Sequence, residues 1–305
     1  MKKIVLIFTL LLSASGATAQ QEAMYTHYAF NTLAINPAYA GSRDALTLTA
    51  LHRSQWVGFK GAPHTQTITA HAPIRSKDMG VGLTVMNDKI GPTNTTSFFA
   101  DYSYKIPLHK GHLAMGAKAG FDLFQARLDQ LSAMDDNDVT LNVNVRNEIL
   151  PNFGFGAYYV ERNYYVGIST PRMLRGRINT ANGSSFARER HHYYLIGGAM
   201  LRLNQSLQFK PMGLLKVTKG APLELDITGI MVIDERLEIG AMYRTGDACG
   251  ALVGFNLENN MRIGYSFDWS FGLATGQYNA GSHEIILRYD FIKIENKQIV
   301  SPRHF

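Results

Sequence analysis

Arg262-Ile-Gly-Tyr-Ser-Phe-Asp-Trp-Ser-Phe271 decides the fold. Ile263, Tyr265, Phe267, Trp269 and Phe271 take every second position, and Arg262, Gly264, Ser266, Asp268 and Ser270 take the others. Side chains on a strand point alternately to its two faces, so this stretch has one aromatic face and one small, polar or charged face. The segment 282–291 repeats the pattern, with Ile285, Leu287, Tyr289 and Phe291 set against Glu284, Arg288 and Asp290. Weaker versions run from Leu113 to Leu123, opposite Lys118 and Asp122, and from Leu237 to Tyr243, opposite Glu238 and Arg244.

Working outward, the alternation predicts about fourteen strands, each near the length that a tilted membrane strand needs. The spans are 44–53, 63–73, 79–87, 95–106, 112–126, 150–161, 164–171, 191–203, 206–217, 222–234, 237–246, 249–258, 261–271 and 282–292. The connections between them sort by parity. One set is short: Glu161 to Asn163, Asn204 and Gln205, Asp234 to Arg236, and Asn259 and Asn260. The two longest, 127–149 and 172–190, both fall in the other set. Short turns on the periplasmic side and long loops outside are the habit of bacterial membrane barrels. A soluble β-sandwich would also alternate, but it gives no reason for loop lengths to segregate. The expected fold is therefore all-β: a single transmembrane antiparallel β-barrel in the outer membrane. Glycines inside strands, such as Gly80, Gly82, Gly154, Gly156, Gly197 and Gly198, suit its curved wall.

The N-terminus agrees. Lys2 and Lys3 precede the apolar run Ile4 to Leu12, and Ala17-Thr18-Ala19 follows before Gln20. This is the pattern of a cleavable signal peptide over 1–19, with an apolar run too short to span a bilayer. No cysteine follows it, which argues against N-terminal lipidation. Formal charge is +6, and losing the two leader lysines brings it to +4. That mild excess, without a basic stripe and interleaved aromatics, gives no reason to expect nucleic acid as a partner. Mean hydropathy is −0.10, and no long uncharged apolar stretch follows residue 19, which excludes a helical membrane protein. Cys249 stands alone, so an intramolecular disulfide and a cysteine metal site are excluded.

No residue set points to catalysis, and no cofactor is expected. Gly80-Val-Gly82 and Gly154-Phe-Gly156 lack the helix and the third spaced glycine of a dinucleotide fingerprint. Asp135, Asp136, Asn137 and Asp138 could hold a hard cation such as calcium, but the EF-hand spacing and its bidentate Glu are missing, and a solvated loop is the plainer reading. His191 and His192 are adjacent on a strand and so face opposite ways. Ser, His and Asp occur without a nucleophile elbow. Arg172, Arg175, Arg177, Arg188 and Arg190, against Glu189, make a basic outer loop that suits anionic lipopolysaccharide, an acidic partner or simple solubility.

The stretch after the leader does not read as strand. Tyr28-Ala-Phe-Asn31, Ile35-Asn-Pro-Ala-Tyr-Ala-Gly41 and His52-Arg-Ser-Gln-Trp-Val-Gly-Phe-Lys-Gly-Ala-Pro63 follow one another. Together they resemble the PorP/SprF family of outer-membrane proteins of the type IX secretion system. Further matches are His71-Ala-Pro-Ile74, Asn87-Asp-Lys-Ile-Gly-Pro92, Pro151-Asn-Phe-Gly-Phe-Gly156, Tyr165-Val-Gly-Ile-Ser-Thr-Pro171 and Ser282 to Phe291. The resemblance implies a barrel serving secretion and gliding, with periplasmic and outer-membrane parts of the secretion machine as partners, besides outer-membrane lipid. A large secreted adhesin is a further implied partner. It supplies no catalytic residues.

Pro37 holds Asn36 out of helical conformation, and Gly41 permits a turn that other residues resist. The segment 20–43 is therefore expected to be a periplasmic plug or docking surface, or else a brace for the first strand. Its candidate contact residues are Phe30, Asn31, Asn36, Pro37, Tyr39 and Gly41. The barrel is expected over 44–292, with Trp56 as an interfacial anchor on the first outer hairpin. A tail, 293–305, lacks alternation and is expected in the periplasm. The competing function is a porin or a channel for small or hydrophobic solutes, because a barrel this wide conducts unless filled.

Overall fold

The computed structural model describes residues 26–74, 78–127, 144–174, 177–179, 185–188, 191–271 and 279–291. The expected signal peptide, the aspartate cluster at 135–138 and the tail lie outside the described residues.

The wall begins with β1 (Leu46–Ser54), β2 (His64–Ile74), β3 (Met79–Ile90), β4 (Thr93–Pro107), β5 (Gly111–Ala126), β6 (Val145–Glu161) and β7 (Tyr164–Thr170). A small hairpin, β8 (Arg177–Asn179) with β9 (Ser185–Arg188), stands apart in the next connection. The wall resumes with β10 (His192–Ala199), which the two-residue β11 (Leu201–Arg202) prolongs past Met200. It continues through β12 (Leu207–Thr218), β13 (Glu224–Ile233), β14 (Leu237–Arg244), β15 (Ala248–Asn256), β16 (Met261–Ser270) and β17 (Ser282–Phe291). All neighbours pair antiparallel, β7 pairs with β10, and β1 pairs with β17 from Leu46↔Phe291 to Ser54↔His283. The sheet thus closes as a barrel of fourteen wall strands. Closure satisfies every backbone edge, which a lipid environment demands.

Alternation maps onto the wall as expected. Asp268 is buried in the lumen while Trp269 beside it is 61 % exposed on the outer face. Phe267 shares that outer side and rests edge-on against His283, ring centroids 5.2 Å apart. His192 points inward to Thr218, whereas His191 takes the other face against Tyr193. Connections at one end, between β2 and β3, β4 and β5, β6 and β7, β11 and β12, β13 and β14, and β15 and β16, are all short. In the β13–β14 turn, Asp234 and Glu235 both have positive φ, as a tight hairpin requires. The other end carries the long connections at 55–63, 127–144, 171–191 and 271–281. These are called the turn end and the loop end below. In bacterial barrels the turn end faces the periplasm.

Three strands outrun their alternation. β3 and β4 continue to Ile90 and from Thr93 and close at Gly91-Pro92, and β6 begins at Val145 rather than 150. The added residues include Asp88, Lys89, Asn147 and Glu148, polar side chains that do not continue the apolar alternation. Pairing of Thr93 with Ala126, and a small cluster of Phe124, Ala126, Val145 and Leu150, carries the sheet upward instead.

Depth in the wall sets the cost of a charge. Leu83 is 61 % exposed in the body of β3, and Ile90 is 41 % exposed at its tip. Leu83→Arg is expected to destabilise the folded barrel in lipid by about 2–4 kcal/mol, and Ile90→Arg by no more than about 1 kcal/mol. Urea titration of the gel-shifted form measures both. Equal penalties would mean that β3 does not cross the bilayer at this depth.

Candidate functional site

Residues 26–45 run down the inside of the barrel. At the loop end the Thr26 and His27 amides donate to Glu284 at 2.9 and 2.7 Å, and the Thr26 hydroxyl donates to Asp268 at 2.6 Å. Arg53 bridges both carboxylates, at 2.8 Å to Asp268 and 3.1 Å to Glu284, and His27 Nδ1 lies 2.7 Å from Glu284. These wall residues sit within two positions of the loop-side ends of β16, β17 and β1. At the turn end, Arg43 holds Asp290 through Nε at 3.2 Å and Nη2 at 2.8 Å. Burial disfavours the Arg43 charge, but Tyr39 and Asp290 more than offset it and raise its pKa, so this clasp stays ionised.

Between the clasps lies one turn of helix, α1 (Thr32–Ile35), then a 3₁₀ turn at Pro37–Tyr39. Four residues cannot hold a helix unaided. The wall holds it instead: Lys118 Nζ donates to the Leu33 and Ala34 carbonyls at 3.2 and 3.4 Å, and Ser169 to that of Ile35 at 2.7 Å. A cation at the carbonyl end of a helix is also favoured by its dipole. Asn36 is extended ahead of Pro37, with φ −136° and ψ 109°; its side chain accepts from the Ala38 amide and donates to the Ala157 carbonyl at 3.1 Å. Ser103 and Lys105 then donate to the Ala40 and Gly41 carbonyls, both at 2.6 Å. Gly41, at φ +64°, makes the turn toward β1 that a side chain would strain.

Backbone this close to a wall needs a wall without side chains. Five lumen-facing glycines on β3, β5, β6 and β7 provide it. A Cβ at Gly80, Gly82, Gly116, Gly156 or Gly167 would come closer than 3.0 Å to Ala40, Leu33, Ala38 or Asn36. Tyr28, Leu33, Ile35 and Tyr39 pack with the wall residues Tyr158, Tyr165, Ile196 and Leu214 as an apolar core inside the lumen. Each such side chain removed from water contributes roughly 1.5–3 kcal/mol. Tyr39 meets Tyr158 and His71 edge-on at 5.5 and 5.4 Å. Across the lumen, Ala29 and Phe30 pack against Met212, Ile230, Val232 and Leu252 of β12, β13 and β15. Above α1 a cavity of about 30 Å³ remains, bordered by Phe99, Lys118, Arg172 and Tyr194, with room for a water or two.

All six candidate contact residues therefore lie inside the barrel. Asn31, Asn36, Pro37, Tyr39 and Gly41 are buried, and Phe30 is half-buried with the Arg262 guanidinium 3.0 Å over its ring. What sequence reasoning missed is their wall counterparts. Gly80, Gly82 and Gly156 serve as seats for the segment rather than as curvature alone. Gly116 lies two positions from Lys118, so it shares the inward phase, and that was the available signal. Arg172, read as part of an outer basic loop, turns inward to Asp122 at 3.1 Å and to Ser97. Trp56 has φ +49°, and its amide donates to Ser282. Among the described residues no three His, Cys, Asp or Glu side chains converge to hold a metal ion.

The family model described as "Type IX secretion system membrane protein PorP/SprF" matches residues 17–289. The chain belongs to this family. It is accordingly a membrane protein of the type IX secretion system, associated with components of that machinery, and it resides in the outer membrane of a Gram-negative bacterium. No curated protein matches the sequence. Among solved structures, the barrel is similar to the Acinetobacter baumannii outer membrane protein Omp33, at 9 % identity and TM-score 0.48, over 81 % of this chain and 99 % of that one. It is also similar to a Pseudomonas aeruginosa FadL homologue, at 12 % identity and TM-score 0.48, over 87 % and 94 % of the two chains. The NanC porin matches at 11 % identity and TM-score 0.42, over 82 % and 100 %.

The glycine seats of this family member can be tested one at a time. Gly116→Ala places a methyl against the Ala38 backbone and is expected to cost about 1–3 kcal/mol. Gly213→Ala, whose Cβ would meet only the Asp226 carbonyl at 3.7 Å, should be neutral or stabilising by up to about 1 kcal/mol. Denaturant midpoints of the two variants decide the matter, and equal effects would remove the glycine cradle from the account.

Proposed function

We propose that the chain works in type IX secretion as a plugged barrel, supporting export or surface attachment of secreted proteins such as gliding adhesins through protein contacts. The supporting observation is the lumen itself, which residues 26–45 occupy from the loop-end clasp at Glu284 to the turn-end clasp at Asp290. A diffusion pore needs a continuous aqueous path, whereas this lumen is crossed by packed apolar side chains and hydrogen-bonded backbone. In this reading Phe30, Asn31, Asn36, Pro37, Tyr39 and Gly41 act from within. They seat the segment, and the seated segment gives the periplasmic mouth the shape that machinery components contact. The porin or solute-channel reading requires the segment to leave.

Asn36→Ala, Pro37→Ala and Tyr39→Ala combined remove the cap, the fixed turn and the aromatic seat while leaving the strand ladders intact. The variant is expected to keep the heat-modifiable mobility of a closed barrel and to conduct in planar bilayers where the native chain stays silent. In cells, the exported protein should accumulate in the periplasm. Steady conductance by the native chain, or normal secretion by an open variant, would sink the plugged-scaffold reading.

A further inference from the structure

Arg262 and Arg288 are directly opposite one another in the β16–β17 register, and both face the lumen near the turn end. Like charges placed opposite on neighbouring strands repel. Their surroundings do not neutralise them. Glu238 binds Arg262 through Nη2 only, and it is shared with Lys210 at 3.1 Å. Asp290 is claimed by Arg43 and by the Thr47 hydroxyl at 2.7 Å, leaving Arg288 Nε at 3.9 Å. Among the described residues four cations, Arg43, Lys210, Arg262 and Arg288, thus face two carboxylates, Glu238 and Asp290. The face of the Arg262 guanidinium is stacked on Phe30, so only its edge is available.

That edge is the second observation. Nε and Nη1 of Arg262 and Nε of Arg288 are buried donors with no hydrogen-bond acceptor among the described residues. Buried N–H groups in proteins are almost always satisfied, and a guanidinium N–H makes a strong charge-assisted bond to a carboxylate or phosphate oxygen. Uncompensated charge, a repulsive cross-strand pair and donors without acceptors coincide at one corner of the lumen. From this we infer that the turn-end corner between Arg262 and Arg288 is an oxyanion-binding site, which takes a carboxylate or phosphate group. The occupant neutralises the pair and accepts from both guanidinium edges. Phe30, carried by the lumen segment, keeps Arg262 turned toward it. The inference rests on the plugged-scaffold reading in one respect, since Arg43 and Phe30 both belong to the seated lumen segment.

The native full-length barrel in detergent, unfolded by urea at constant ionic strength, tests this with three salts: chloride, acetate and phosphate. Acetate or phosphate should raise the unfolding midpoint over chloride progressively with concentration, as selective binding to the folded state requires. A response to phosphate alone assigns the site to phosphate, and a response to acetate assigns it to a carboxylate such as an acidic side chain. Arg288→Gln should abolish the response. In chloride the same variant should unfold no earlier than the native chain, because it removes the repulsion while Asp290 keeps Arg43 and Thr47. Identical midpoints in all three salts, an equal response in the variant, or an Arg288→Gln barrel weaker in chloride would overturn the site and make Arg288 an ordinary structural cation.

Discussion

Residues 33–41 lie directly against glycines of β3, β5, β6 and β7, and the interior is arranged around that packing. An extended chain laid against a wall leaves its own carbonyls without partners inside a space closed to bulk water. Those groups must be satisfied by what the wall projects inward. Lys118, Ser169, Ser103 and Lys105 do this in turn along the segment. Each lysine in a closed lumen needs either an anion or carbonyl dipoles. The segment supplies the dipoles, and Asp101 adds a carboxylate for Lys118 at 3.3 Å. Segment and wall are therefore polar complements, and neither is well solvated without the other.

Much of the wall was legible in the sequence because lipid imposes one simple demand, an apolar residue at every second position. Strands such as β16 and β17 obey it along their whole length. Where the wall rises beyond lipid, at the β3–β4 tip and the start of β6, the demand lapses, and so does the signal. The interior was less legible for a related reason. Lumen-facing positions answer to a particular occupant rather than to a solvent, so the inward phase of Gly116 or Asp268 was readable but its partner, Ala38 or Thr26, was not. Turn chemistry at Asn36-Pro37 and Gly41 announced a fixed conformation, but nothing in that stretch said where in the barrel it would lie.

Type IX membership assigns the chain to a secretion machine, and residues 26–45 fill much of the lumen of its fourteen-stranded barrel. The two mouths differ in character. At the loop end Asp268 and Glu284 gather around Arg53, whereas at the turn end the arginines outnumber the carboxylates. Among the described residues the lumen is thus acidic at one mouth and basic at the other, so the two ends carry opposite local fields.

The β1–β17 seam carries one more consequence, for the order of assembly. Thr26 and Glu284 are separated by 258 residues, yet their contact lies beside the last pair of strands to be brought together. Contacts so distant along the chain form late. If the seam zipped first, the segment would have to be drawn lengthwise past inward-pointing arginines and tyrosines. Seating it on the open trough of β3 to β7 and then sealing β17 over it avoids that passage. The segment is then enclosed as the sheet closes rather than threaded into it, while the girth follows from fourteen strands and their stagger.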